Sequence, residues 1–324
     1  MVSKVILPES MEGKTILVAG AAGFVPSTLC EFYLNLGAHV IGLDNFITGS
    51  QSNIDLISKY KNFEFHQCNI YERLPQFKDQ KIDYILSMAS PASPIDFAII
   101  PMEIMRVNSE GTFKLLELAK EKNARFLEAS TSEVYGDPEI HPQREDYVGH
   151  VNPIGPRSCY DESKRFAEAM TMSFHHKYNV DTRIVRIFNT YGPRMRPNDG
   201  RVIPNFITQA LKGEDLTVYG DGSQTRSYCY STDLVNAIHN VLMSNDPTPF
   251  NIGNPDEYTV KETAELVIKI LGSTSKIAYL PLPKDDPKRR RPDIGKIQSV
   301  SDYRPLVSFE DGIRQTAEYF KNNL

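Results

Sequence analysis

The chain has 324 residues, room for one large domain or two smaller ones. With 40% hydrophobic and 24% charged residues, it is excluded from the disordered and collagen-like classes. Lysine and arginine number 36 against 41 acidic residues, and the resulting charge of −5 gives no general attraction to nucleic acid or to an anionic membrane surface. The four cysteines (Cys30, Cys68, Cys159, Cys229) form no CxxC pair, so neither a disulfide framework nor a zinc ribbon is indicated and a reducing compartment is expected. Thr15–Cys30 is the longest uncharged stretch, too short and too broken for a membrane span, and Met1–Lys14 lacks the apolar run of an export signal. A cytoplasmic location is therefore expected.

Thr15–Ala19 is an apolar run ending at Gly20, Phe24–Leu36 has helical spacing closed by Gly37, and His39–Leu43 restarts as a strand ending at Asp44. This is a βαβ unit. Further strands are expected at Phe63–His66, Ile82–Ser87, Arg125–Ala129 and Thr182–Phe188. Helical patterns separate them near Ile54–Tyr60, Glu103–Lys122 and Asp161–Tyr178. The alternation predicts an α/β fold, a Rossmann-type doubly wound parallel sheet. After Asn189 it breaks up, with prolines and glycines frequent over Tyr191–Gln224 and Pro281–Pro305, and this predicts a smaller C-terminal lobe. The one dense basic run, Lys288-Arg289-Arg290-Arg291, reads by itself as a solvated loop.

Three groups of residues carry chemistry. Gly20-Ala21-Ala22-Gly23-Phe24-Val25 lies where a strand becomes a helix, so small residues let the backbone approach a pyrophosphate at the helix N-terminus; the plain alternative is a tight connection. Asp44, at the end of the next strand, accepts ribose hydroxyls and repels a 2′-phosphate, which favours NAD over NADP. Pro26 stands where a third glycine would allow close packing of helix on strand; its ring is expected to displace the helix slightly and weaken cofactor binding. Tyr160 and Lys164 share a helix face at i and i+4, where an ammonium would stabilise a phenolate and make tyrosine a usable base; the alternative is a surface pair. Thr131, Ser132 and Glu133 follow the Arg125 strand and emerge at the carboxyl edge of the sheet, either toward a substrate or as a turn that caps the next segment.

With these assembled, the chain resembles the extended short-chain dehydrogenase/reductase family of nucleotide-sugar enzymes, from about Lys14 to the C-terminus. Within it the chain is similar to the branch that decarboxylates UDP-glucuronate. The segments that carry this likeness are Asp44–Gly49, Ala89–Pro94, Ala129–Asp137, Gly149–Arg157, Arg186–Met195, Asn198–Val202, Gly222–Arg226 and Arg291–Ile294. The resemblance implies that residues 1–188 and 227–254 form the NAD-binding domain, and 189–226 and 255–324 the lobe that holds the nucleotide sugar.

It implies oxidation of UDP-glucuronate at C4′ by NAD, loss of CO2 from the resulting β-keto acid, and re-reduction to UDP-xylose by the retained NADH. Because the C4′ oxygen takes the electron pair, no metal is required. Tyr160 would move the C4′ proton, Lys164 would lower its pKa and hold the nicotinamide ribose, and Thr131 would orient the hydroxyl. Ser132 and Glu133 would act near C5′, with Arg290 beside the carboxylate. The cofactor residues carried over are Gly20, Gly23, Phe24, Val25, Asp44, Asn45, Thr48, Gly49, Asn69, Ile70, Ala89, Ser90, Asn108, Tyr160 and Lys164. Those for the UDP-sugar are Pro91, Glu133, Asn189, Arg201, Val202, Asn205, Tyr219, Gln224, Arg226 and Arg290, with Arg226 toward the diphosphate.

Ser132-Glu133 stands where 4,6-dehydratases of the family carry Asp-Glu and simple epimerases carry small or hydroxyl residues, which leaves UDP-glucuronate 4-epimerase as the alternative. Asn69 replaces a family aspartate that contacts adenine; it can accept through its amide oxygen but brings no charge. A cofactor held less tightly would escape as NADH and release a 4-keto pentose. A non-catalytic dinucleotide-binding protein is the alternative outside the enzymes. Apolar residues on more than one face of the helices near Glu103–Lys122 and Asp161–Tyr178 predict a homodimer through a four-helix bundle.

Overall fold

The computed structural model describes residues 10–281 and 289–323. Most of the amino-terminal stretch read for an export signal, and Lys288 of the basic run, lie outside the described residues. In chain order the first half comprises β1 (Thr15–Ala19), α1 (Phe24–Asn35), β2 (His39–Asp44), α2 (Gln51–Ile57), β3 (Phe63–Gln67), β4 (Tyr84–Ser87), α3 (Pro94–Ile99), α4 (Pro101–Arg106), α5 (Thr112–Lys122), β5 (Arg125–Thr131), α6 (Ser158–Tyr178) and β6 (Thr182–Ile187). The second half has shorter strands: β7 (Thr190–Tyr191), α7 (Val202–Lys212), β8 (Leu216–Tyr219), β9 (Thr225–Ser227), β10 (Cys229–Tyr230), α8 (Ser231–Met243), β11 (Phe250–Ile252), β12 (Glu257–Thr259), α9 (Val260–Leu271), β13 (Ile277–Leu280), β14 (Arg289–Arg290), α10 (Gly295–Val300) and α11 (Phe309–Asn323).

Seven strands form one parallel sheet in the order β11-β6-β5-β4-β1-β2-β3. Side chains alternate between its faces: Ile16 and Val18 of β1 join one core with helices α1 and α8, while Leu17 and Ala19 join another with Leu115 and Leu116 of α5. Burial on both faces explains why these strands read as continuous apolar runs and not as alternating ones. Chain order reverses between β1 and β4, and such a switch point opens a crevice at the carboxyl ends of the strands. A separate apolar cluster joins α7, α9 and α11 through Phe206, Val267 and Phe320.

Several elements differ from the sequence reading. The helix expected over Glu103–Lys122 starts at Pro101 and is interrupted by a π-turn at Val107–Gly111. There the Ser109 hydroxyl donates to the Met105 carbonyl at 2.6 Å, and Gly111 lies where a Cβ would come within 3.0 Å of Ile70 Cδ1. Strand β4 begins at Tyr84 rather than Ile82. Asp83, just before it, accepts a bond from the Thr15 amide at 3.0 Å. Helix α2 spans Gln51–Ile57, three residues earlier than the pattern suggested, because Ser58–Tyr60 closes as a turn.

Candidate active site

A cavity of about 690 Å³ lies in the crevice and runs from the β1–α1 turn to the wall made by β5, α7 and β9. Every residue expected to act in catalysis or to contact cofactor or substrate lines it except Asn108. That residue is buried on the π-turn, and its amide donates to Ser163 at 2.9 Å, which ties the π-turn to α6 behind the cavity wall.

The β1–α1 end is built from backbone. Gly20 has φ +86°, and a Cβ there would come within 2.8 Å of Ala89 Cα; a Cβ on Gly49 would meet Ala22 Cβ at 2.7 Å. Helix α1 begins after Gly23 with no side-chain cap, which leaves its first-turn amides for an anion. Pro26 sits in this first turn, where a missing N–H has no intrahelical partner, and the helix opens regularly with Ser27 donating to the Gly23 carbonyl at 3.0 Å. Asp44 accepts from the Ala22 and Phe46 amides at 3.0 and 2.7 Å; burial nonetheless pushes its carboxyl up. Two bonds leave a carboxylate further lone pairs for hydroxyl donors. A cradle without Cβ atoms, an uncapped helix start and an acceptor at the end of β2 together fit a dinucleotide.

The opposite end is built from charged side chains. Arg290 donates to Glu133 at 3.1 Å and also to the Ser132 carbonyl, and Arg157 donates to the same Glu133 oxygen at 2.7 Å. Burial alone would raise the Glu133 carboxyl, but these two guanidiniums hold it well below the ordinary carboxylate range. Burial and the Glu133 charge push Asp161, one helical turn beyond Arg157, up to about 7. Arg201 is paired with Asp199, its Nη2 at 2.9 Å, and the side chain of the buried Arg226 donates to the Thr225 carbonyl at 2.8 Å. The solvated-loop reading that the basic run gives by itself does not hold for Arg290, whose guanidinium is buried against Glu133.

Tyr160 projects from the first turn of α6, its ring stacked on Phe97 at 5.0 Å. Burial raises its phenol strongly, while the neighbouring Thr131 hydroxyl and the Arg201 charge oppose that rise. Lys164, expected to act on this phenol, has its ammonium engaged on the neighbouring strand. The lysine is almost fully buried, and its ammonium bonds Glu128 at 3.2 Å and the Ala129 carbonyl at 2.7 Å, both on β5. The i, i+4 spacing correctly put both residues on one face, but a carboxylate on the neighbouring strand competes for the cation.

Arg157, Asp161 and Glu128 were not singled out from the sequence. The i, i+4 pairing of Arg157 with Asp161, 3.8 Å apart at the start of α6, was a signal available there. Arg194 was also missed. It has φ +70°, lines the cavity, pairs with Glu31 of α1 and keeps Nη1 buried without a partner among the described residues.

Fold and cavity define a Rossmann-type enzyme in which a dinucleotide cradle faces a buried tyrosine and a cluster of arginines. A family model described as the NAD dependent epimerase/dehydratase family matches residues 16–253, and the chain belongs to this family. It is 48% identical over 311 residues to UDP-glucuronic acid decarboxylase 1 of Danio rerio, covering 96% of this chain and 73% of that protein. It is 44% identical over 310 residues to UDP-glucuronic acid decarboxylase 3 of Arabidopsis thaliana, covering 95% and 90%. Among solved structures it is similar to UDP-glucuronic acid 4-epimerase from Bacillus cereus in complex with UDP-glucuronic acid and NAD, with TM-score 0.86, 28% identity and coverage of 96% and 100%.

Proposed function

We propose that this protein converts UDP-glucuronate to UDP-xylose by NAD-dependent decarboxylation through a 4-keto intermediate. The observation that carries the reading is Glu133 bound by Arg290 and Arg157 in the same cavity wall as Tyr160 and Thr131, a cluster that joins alcohol chemistry to the handling of a carboxylate. The identity of 44–48% with decarboxylases over nearly the whole chain supports it.

When bound, NAD supplies the acceptor and later the donor of hydride. Gly20, Gly23, Phe24, Val25, Asp44, Asn45, Thr48, Gly49, Asn69, Ile70, Ala89 and Ser90 would hold it. Asn108 would act by fixing α6 through Ser163. Tyr160 takes the C4′ hydroxyl proton during oxidation and returns it during re-reduction, with Thr131 orienting both oxygens. After oxidation the C5′–C6′ bond breaks. CO2 leaves, the electron pair moves onto the C4′ oxygen, and as the ketone re-forms C5′ takes a proton from a solvent water beside Ser132 and Glu133. Arg290 offsets the anions gathered at this wall. Asn189, Arg201, Val202, Asn205, Tyr219, Gln224 and Arg226 hold the uridine diphosphate, and Pro91 lines the sugar end.

CO2 release from UDP-glucuronate, measured with and without added NAD⁺, tests the reading, with chromatography of the products. UDP-xylose and CO2 are expected. No CO2 from the wild type refutes decarboxylation. UDP-galacturonate in its place would establish the second reading, a 4-epimerase, which is favoured by the likeness to the Bacillus cereus structures. A 4-keto pentose with free NADH would show that the cofactor escapes past Pro26 and Asn69.

In the same reading residues 1–188 and 227–254 bind NAD, and 189–226 and 255–324 bind the sugar nucleotide. The chain pairs with a second copy through α4, α5 and α6, which expose Met102, Met105, Phe113 and Phe166. Light scattering should return a dimer mass, and a monomer at micromolar concentration refutes the pairing. No helix among the described residues is long and apolar enough to cross a membrane. Cys30, Cys68, Cys159 and Cys229 are free thiols, and the location proposed for the chain is the reducing cytoplasm.

A further inference from the structure

We infer that Glu128 is a positioning residue of the Tyr160/Lys164 pair, a buried carboxylate that takes up the Lys164 ammonium and limits how much of its charge reaches the phenol and the nicotinamide end of the cavity. The activity arm of its test rests on the function proposed above.

Glu128 lies in the middle of the seven-stranded sheet, fully buried on β5 between Leu127 and Ala129. A strand covered on both faces calls for an apolar side chain there. Burying an ion pair contributes little stability compared with well-packed apolar groups, so stability alone does not explain a charge at this position. Its Oε1 lies 3.2 Å from Lys164 Nζ, while Oε2 has no hydrogen-bond partner among the described residues. The lysine's other bond, to the Ala129 carbonyl, holds its head against the same strand.

The surrounding charges do not replace this contact. Glu168, one turn further along α6, faces Glu128 but is itself engaged by Arg186 at 2.8 Å and by the Ser130 hydroxyl. Ser87 on β4 faces the Glu128 carboxylate. The charged groups acting on Tyr160 are Glu133, Asp161 and Arg201, and Arg157 and Arg290 act on Glu133. Glu128 is therefore the charge that competes directly for Lys164. Neutralising it leaves the ammonium uncompensated in a dry site, where it stabilises a phenolate and disfavours a positively charged nicotinamide relative to the reduced, neutral one.

E128Q tests this, with E128L as a second variant that fills the position with an apolar side chain should E128Q not fold. Wild-type CO2 release is confirmed first, which keeps failure of the proposed function distinct from failure of this inference. The acid limb of the kcat/KM profile should move down by about one pH unit in a variant that melts cooperatively. Binding titrations without substrate should show the ratio of NAD⁺ to NADH dissociation constants rising about threefold or more, from the same electrostatic change. In E128D, which keeps the charge, the limb should stay near its wild-type position. An acid limb that is unmoved or moves upward in a folded E128Q or E128L, or an unchanged cofactor ratio, overturns the inference. A purely structural carboxylate would lower the melting temperature and move neither quantity.

Discussion

The two ends of the cavity are made differently. At the β1–α1–β2 end, the wall comes from backbone amides and absent Cβ atoms within residues 20–49, plus one carboxylate. At the other end it comes from long charged side chains at 133, 157, 201, 226 and 290, brought together from across the sequence. The first end tolerates little change in shape, whereas the second depends on charge balance, since removing one guanidinium alters the protonation of every carboxylate beside it.

Four substitutions probe that contrast. Tyr160→Phe removes the proton carrier while keeping the ring on Phe97, and should lower CO2 release about 10³-fold with little change in melting temperature. A loss below tenfold would mean that another group moves the proton. Arg290→Ala leaves Glu133 with Arg157 as its remaining guanidinium contact and should lower kcat about 100-fold. It should also destabilise the fold by about 3 kcal/mol, as expected when one partner of a buried ion pair is removed. Asp44→Asn should weaken NAD binding about tenfold with kcat at saturating cofactor nearly unchanged, because a charged acceptor becomes a neutral one. Fluorescence titration of NADH measures it, and an effect on kcat alone would argue against the cradle.

The smallest effect concerns pH. Asp161 is raised above its unfolded value near 4, so its ionisation costs stability. That cost is absent below the unfolded value, grows as pH rises toward about 7, and is constant above it. Asp161→Asn removes the cost, so the melting temperature of the variant relative to wild type should climb between pH 4 and pH 7 and then level off. A flat difference would show that Glu133 and the arginines do not act on Asp161 as described.

Much of the dinucleotide end was legible because its pieces are contiguous and each follows a local rule: an apolar run, a glycine turn, a helix start, a carboxylate at the next strand's end. The sequence alone also placed Tyr160 and Lys164 on one helix face. It did not reveal that Lys164 bonds Glu128, because adjacency of β5 and α6 is not a spacing in the chain. The charge pattern did not separate Arg290 from its basic neighbours, and only the resemblance did: the pairing of β14 with β9 buries Arg290 while Arg289 stays exposed. The π-turn at Val107–Gly111 escaped periodicity because it adds a fraction of a turn where Asn108 must reach Ser163.

What the chain determined by itself was therefore the alternation of strands and helices, the cradle at the first turn, and the residue types that act on an alcohol and a carboxylate. Tertiary structure decided which charges meet: Glu133 with Arg157 and Arg290, Lys164 with Glu128, and Asn108 with the back of α6. Local conformation is set by neighbours within a few residues, whereas the protonation of a buried group depends on every charge within a few ångströms, whichever part of the chain supplies it.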